Sequence, residues 1–197
     1  MIMMSMSRST IHTILVLMIT TVLILAGVWL VHSPGQSGSN GLGDPGTTPI
    51  DAPPGSKHTA PAVGRPAPDF AATTISGEPV RLSDLRGEPV WLVFGATWCA
   101  NCRAEAPDVQ AVSTQLNGRA NVVSIYTGES TSVVTSYADR LKLTYPQIAD
   151  SSETLASTYA IMGIPAHIFI ASDGTIATIA VGTLTRQAAL DILIPLL

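Results

Sequence analysis

The sequence predicts an α/β domain, a central mixed sheet flanked by helices, carried behind a single apolar N-terminal segment. Three observations carry that expectation. An apolar, β-branched run, Val90 to Phe94, leads through a short polar turn into a helical pattern that starts at the first of only two cysteines. Strand and helix patterns then alternate as far as Tyr159. A hairpin pattern and one last helix complete the chain.

In chain order, residues 1–13 hold Arg8 as their only full side-chain charge and are expected on the cytoplasmic side. From Ile14 to Val31 the chain is almost purely apolar, and no Asp, Glu, Lys or Arg lies between Arg8 and Asp44. Roughly 18 helical residues cover about 27 Å, close to the thickness of a bilayer core. Residues 14–32 are therefore read as a transmembrane anchor. The positive charge precedes the run and none follows it closely, so the remainder should be exported. A cleaved signal peptide is the rival reading. The apolar region is longer than such a peptide needs, its best exit, Val31-His32-Ser33, is followed by Pro34, and no cysteine stands ready for a lipid. Residues 33–64 are rich in Gly, Pro, Ser and Thr, with Leu42, Ile50 and Val63 their only large apolar residues. Such a segment buries too little surface to offset its ordering entropy and reads as a flexible tether.

The folded domain is expected over residues 65–197. Residues 69–74 and 79–82 flank Ile75-Ser76-Gly77-Glu78 as a hairpin, and Ser83 to Gly87 reads as a helical turn stopped by glycine. After the central strand, a helix should run from Cys99 to Gln115 and stop at Asn117-Gly118. A strand over Asn121 to Tyr126 follows, then a helix over Thr131 to Leu141 with Val133, Val134, Tyr137 and Leu141 at helical spacing. Tyr145 to Ile148 reads as a short edge strand and Glu153 to Tyr159 as a short helix. Ala166 to Ile170 and Thr175 to Val181, around Ser172-Asp173-Gly174, form an antiparallel hairpin. Thr185 to Leu193 closes the domain as a helix. This order gives the layering of a thioredoxin-like α/β sandwich.

Composition narrows the chemistry. Residues 65–197 hold eight Lys and Arg against twelve Asp and Glu, which accounts for the whole net charge of −4. Without a basic stripe, nucleic acid is not expected as a partner. A zinc ribbon would need a second cysteine pair. The single C-x-x-C is thus a structural disulfide or a working redox pair. A bridge closing so small a loop constrains the unfolded chain little, so the redox reading is preferred.

Cys99, at the helix start after Trp98, is the expected nucleophile, because unpaired N–H groups and the helix dipole favour a thiolate there. Its sulfur should be partly exposed. Cys102, one turn further, should be the more buried resolving thiol, cleaving a mixed disulfide formed by Cys99. On the same helix the apolar stripe Val109, Val112, Leu116 extends back through Glu105 to Cys102. A carboxyl on that core-facing stripe would have a raised pKa and serve as proton acceptor and donor for the cysteines. The plainer reading leaves Glu105 in water, complementing the helix N-terminus. Pro107 lies inside the helix and suggests a kink. By local rules Pro165 could simply be a trans proline opening a strand.

Trp98-Cys99-x-x-Cys102-x-x-Glu105-x-Pro107, followed by Gly163-Ile164-Pro165 and then Ser172-Asp173-Gly174, resembles the TlpA/ResA family of membrane-anchored, thioredoxin-like thiol–disulfide oxidoreductases. The resemblance covers most of residues 65–197. It implies that Pro165 is a cis proline beside the active site, that Trp98, Ile164 and Pro165 meet the partner protein, and that Glu105 matches an active-site glutamate. It implies reduction of the C-x-x-C-H disulfide of apocytochrome c during cytochrome c maturation, with no cofactor beyond the Cys99–Cys102 disulfide and with a CcdA-type membrane electron donor. The expected location is the cell membrane, catalytic domain outside. Ala100-Asn101 departs from the usual residue-Pro pair, and Ala166 and His167 stand where the family commonly has Thr.

Three other readings are weighed. A Dsb-like oxidase would use the same fold with electrons flowing the opposite way. A peroxiredoxin-like enzyme would want Thr or Ser three residues before the reactive Cys and Pro further back, where Ala96 and Leu92 stand. A copper-binding chaperone would join Cys99 and Cys102 to His167, the only histidine of the folded domain, although a strand histidine is more often structural or solvent-facing. His12, His32 and His58 suggest no site.

Overall fold

The computed structural model of the chain describes residues 17–22, 47–48 and 60–197. Residues 17–22 are helical. No helix among the described residues is long and apolar enough to cross a membrane. The rest of the expected anchor, the cytoplasmic N-terminus and most of the expected tether lie outside the described residues.

Five strands form the main sheet: β4 (Val90–Gly95), β5 (Asn121–Thr127), β6 (Gln147–Asp150), β7 (Ala166–Ile170) and β8 (Ile176–Val181). Their order across the sheet is β6-β5-β4-β7-β8. β4, β5 and β6 are parallel, whereas β7 runs antiparallel to β4 and β8 antiparallel to β7. Every residue of β4 is buried. Alternate side chains of a strand point to opposite faces, so covering both faces requires a continuous apolar run such as Val90 to Phe94. Val90, Leu92 and Phe94 pack with Phe70, Leu82, Ile125 and Ile168 on one face. Trp91 and Val93 pack with Val112, Leu116, Phe169 and Leu193 on the other. Burying each such large side chain contributes roughly 1.5–3 kcal/mol.

The second face is covered by α1 (Ala100–Leu116) and α4 (Arg186–Leu193), and beside them by α2 (Thr131–Leu141); α3 (Thr154–Thr158) lies on the first. α1 ends where Asn117 takes the left-handed conformation, φ 47°, and it runs unbroken through Pro107. Asp150, fully buried, accepts the Leu155 and Ala156 N–H groups at 3.1 and 2.9 Å and so caps α3. The expected hairpin forms β2 (Ala71–Thr73) and β3 (Pro79–Arg81), followed by a 3-10 turn over Leu82–Leu85.

Three local differences from the sequence reading have physical causes. Strand β6 starts two residues later than expected, because the Tyr145 ring turns into the core and Pro146 meets β5 only through its carbonyl, which accepts the Ser124 N–H. In α2 the buried stripe is Val134, Tyr137 and Ala138, whereas Val133 lies 45% exposed, because it stands about 100° round the helix from the centre of that stripe. Within the expected tether, β1 (Thr47–Thr48) adds a short antiparallel strand to β2.

Candidate active site

The topology brings the end of β4 and the start of β7 together. Phe94 pairs with Ala166, and Val93 with His167. Beyond β4 the chain turns through Ala96 to Trp98 into α1, and Cys99 is the residue immediately before that helix. Its Sγ accepts the Cys102 N–H at 3.2 Å, which satisfies one of the helix's free donors. Cys99 and Cys102 are joined as a disulfide, with Cα atoms 5.3 Å apart. Gly95 lies against this pair: a Cβ there would stand 3.4 Å from both Cβ and Sγ of Cys102, in van der Waals contact.

The turn is braced from both sides. The Glu129 carboxylate, 9% exposed, accepts the Thr97 N–H at 2.7 Å and also the Thr97 hydroxyl. From the outer side the Arg103 guanidinium donates to the Trp98 and Thr97 carbonyls at 2.8 and 3.3 Å. Trp98 stands 68% exposed on the rim. The Ile164–Pro165 peptide is cis, with Ile164 half-buried and Pro165 buried. Local rules had left that bond open; the pairing of Phe94 with Ala166 sets Pro165 beside the end of β4.

The order of burial differs from the expectation: as whole residues, Cys99 is buried and Cys102 half-buried. With the disulfide closed, the Cys99 sulfur folds back over the first turn of α1 as its cap.

Glu105 lies on the core-facing stripe, 2% exposed. Its Oε1 accepts the Leu184 N–H at 2.9 Å and lies 3.3 Å from His167 Nε2, whereas the buried Oε2 has no protein hydrogen-bond partner. Burial, reinforced by the charge of Asp108 and offset in part by the Leu184 N–H, pushes the carboxyl up to about 7. A cavity of about 20 Å³, room for about one water molecule, is bordered by Glu105, Cys102, Pro165, Ser124, Tyr126 and Tyr145. Burial raises the phenols of Tyr126 and Tyr137, and that of Tyr145 to about 12, so none of the three accepts a proton near neutral pH. Glu105 is the group of this cavity wall that titrates in that range.

His167 is fully buried. Its Nδ1 accepts the Trp91 indole N–H at 3.3 Å, and its Nε2 lies 3.0 Å from the Gly182 carbonyl. An indole N–H only donates, so Nδ1 must carry the lone pair and Nε2 the hydrogen. Burial lowers the imidazole to about 4, opposed by the bond to Gly182, and the ring is neutral at pH 7. Both ring nitrogens are engaged in hydrogen bonds, and among the described residues no group of three His, Cys, Asp or Glu side chains is placed to hold a metal ion.

The sequence reading thus placed Cys99, Cys102, Glu105, Trp98, Ile164 and Pro165, and the fold brings them to one end of the sheet. It missed Gly95, Glu129 and the Trp91–His167 pair. Strand parity held a usable signal for the last. His167 and Phe169 are two apart on β7, opposite Val93 and Trp91 on β4, so His167 belongs on a buried face. Glu129 gave none, because its partner lies 32 positions away.

Fold and site together define a dithiol–disulfide exchange protein built on the thioredoxin-like sheet. The sequence pattern described as the AhpC/TSA family matches residues 63–179. The thiol-disulfide oxidoreductase ResA of Geobacillus kaustophilus is 33% identical over 130 residues, 66% of this chain and 75% of that protein. The thioredoxin-like protein YneN of Bacillus subtilis is 35% identical over 127 residues, 63% of this chain and 74% of that one. The crystal structure of a thiol:disulfide interchange protein from Chlorobium tepidum superposes with a TM-score of 0.63 at 27% identity, covering 70% of this chain and 99% of that one. The chain belongs to the AhpC/TSA family and, within it, to the ResA-like thiol–disulfide oxidoreductases.

Proposed function

We propose that the chain is a membrane-anchored, extracytoplasmic reductant of disulfides in exported proteins, serving cytochrome c maturation by opening the C-x-x-C-H disulfide of apocytochrome c. The observation that carries this reading is Glu105, buried against the same small cavity as Cys102 and titrating near neutrality. A reductant must deprotonate its resolving thiol late in the cycle, and a carboxyl with this pKa on the same cavity can accept that proton. The similarity to ResA and YneN, the apolar N-terminal run and the C-x-x-C-x-x-E pattern support the same reading.

In the reduced protein the Cys99 thiolate attacks one sulfur of the client disulfide. That S–S bond breaks, a Cys99–client bond forms, and the other client sulfur leaves as a thiolate that takes up a proton. Cys102 gives its proton to Glu105 and attacks Cys99 Sγ. The Cys99–Cys102 disulfide forms, and the second client sulfur leaves and is protonated. Two electrons pass from the protein to the client. A CcdA-type membrane dithiol returns two electrons and two protons to the site. Trp98, Ile164 and Pro165 form the rim on which the client lies.

The test is transfer from the reduced full-length chain to a synthetic C-x-x-C-H peptide in its disulfide form. Reduction of the peptide, and its capture on Cys99 in Cys102→Ser, is expected. Reduction of insulin disulfides with none of the C-x-x-C-H peptide would overturn the cytochrome c assignment.

A further inference from the structure

Beside the active-site turn an open groove of about 390 Å³ runs along α2, lined by Thr97, Ser132, Val133, Ser136, Tyr137 and Arg140. Thr97 stands two positions before Cys99, so the groove begins at the rim that a client disulfide must approach. Residues 65–197 hold eight Lys and Arg against twelve Asp and Glu, yet two guanidiniums meet here. Arg140 lies over the Tyr137 ring, 5.6 Å from its centroid, and Arg103 holds the Thr97 and Trp98 carbonyls from the outer side. The positive charge of both reaches the Tyr137 phenol. Both are exposed, and neither has a carboxylate partner: among the described residues the only ion pair of a Lys or Arg is that of Arg81 with Asp69. Glu129 turns both oxygens to Thr97, and Asp139, next to Arg140 in the chain, lines a separate groove with Thr74 and Glu78. Two guanidiniums less the Glu129 carboxylate leave the groove with a net positive charge.

We propose that this groove is a client subsite: it takes the carboxylate of an Asp or Glu flanking the client disulfide, with Arg140 as its cation and Val133 and the Ser132 and Ser136 hydroxyls as its walls. The occupant is an extended acidic segment of the client protein. The proposal rests on the reading of the chain as a reductant of protein disulfides and adds a preference among clients that the cysteines do not supply. A guanidinium held over an aromatic ring is already oriented when the carboxylate arrives, so less freedom is lost on binding. An exposed charge pair acts mainly on association and is weakened by salt, so the effect is severalfold and not larger.

The test uses synthetic C-x-x-C-H disulfide peptides that differ only in one flanking residue, Glu, Gln or Lys, placed on each side of the cysteines in turn. The reduced full-length protein is assayed for kcat/KM on each, and the intrinsic reactivity of each peptide towards dithiothreitol is divided out. On one flank at low salt, the Glu peptide should exceed the Gln peptide by about fivefold, through KM, and the Lys peptide should fall below both. At about 0.5 M salt the difference should shrink towards one. Arg140→Gln should remove the preference, and Arg140→Glu should turn it towards the Lys peptide, an inversion that a merely structural role for Arg140 does not give. Equal rates for all three peptides on both flanks in the parent, a measurement that needs no variant to fold, would overturn the subsite and leave the reductant reading standing. A Glu preference that survives in Arg140→Glu would overturn it as well. If no C-x-x-C-H peptide is opened, the cytochrome c assignment fails, and the same charge series on C-x-x-C peptides without the histidine decides the subsite alone. If neither series is opened, both readings fail.

Discussion

Burial shifts both Glu105 and His167 toward their neutral forms, and the effect on stability has a definite sign for each. The Glu105 carboxyl is raised from 4.5 to about 7, so its contribution to stability is full below pH 4.5 and is lost as pH rises to about 7. His167 is lowered from 6.5 to about 4, so its contribution is full above pH 6.5 and is lost as pH falls towards 4. Between these limits the folded pair holds a carboxylic acid and a neutral imidazole, whereas the unfolded chain holds a carboxylate and an imidazolium. The proton count is equal, and the two slopes cancel. Denaturant titrations of the oxidised protein should therefore show no net slope from this pair between about pH 4.5 and 6.5. Glu105→Gln should uncover the histidine alone, losing at most about 3 kcal/mol as pH falls through that range. His167→Gln should uncover the carboxyl, with a loss of similar size as pH rises. Identical pH profiles in parent and both variants would contradict this assignment.

At the scale of elements, the site depends on how firmly the β4–α1 turn is held. Glu129→Ala leaves the Thr97 N–H and hydroxyl without their acceptor, a loss of about 2 kcal/mol in unfolding free energy measured by denaturant. Gly95→Ala sets a methyl against Cys102 and should slow closure of the Cys99–Cys102 bond in stopped-flow oxidation while changing stability by less than about 1.5 kcal/mol. Much of this framework is legible in the sequence. β4, α1, the β7–β8 hairpin and α4 follow from apolar runs, 3.6-residue spacing and glycine or asparagine stops, which are local signals. The Glu105 position is legible because it continues a helical stripe. The braces at Glu129, Leu184 and His167 are not, because each joins segments distant in sequence and exists only once the sheet has set their register. The relative burial of the two cysteine residues goes with the capping position of Cys99, which spacing does not reveal.

At the scale of the whole molecule, the proposed reading puts the domain on the outer side of a membrane, held by the apolar N-terminal run. A thiol reagent that cannot cross the membrane should label Cys99 in intact reduced cells; labelling only after lysis would put the domain on the other side. The central claim is that this dithiol is an electron donor, and the reduction potential of Cys99 and Cys102 in the full-length chain tests it most directly. A value near that of thioredoxin, about −270 mV, is the expected result and leaves the dithiol able to open client disulfides. A value near about −120 mV, at the DsbA end of the range, would contradict the account and make the protein an oxidase of exported chains.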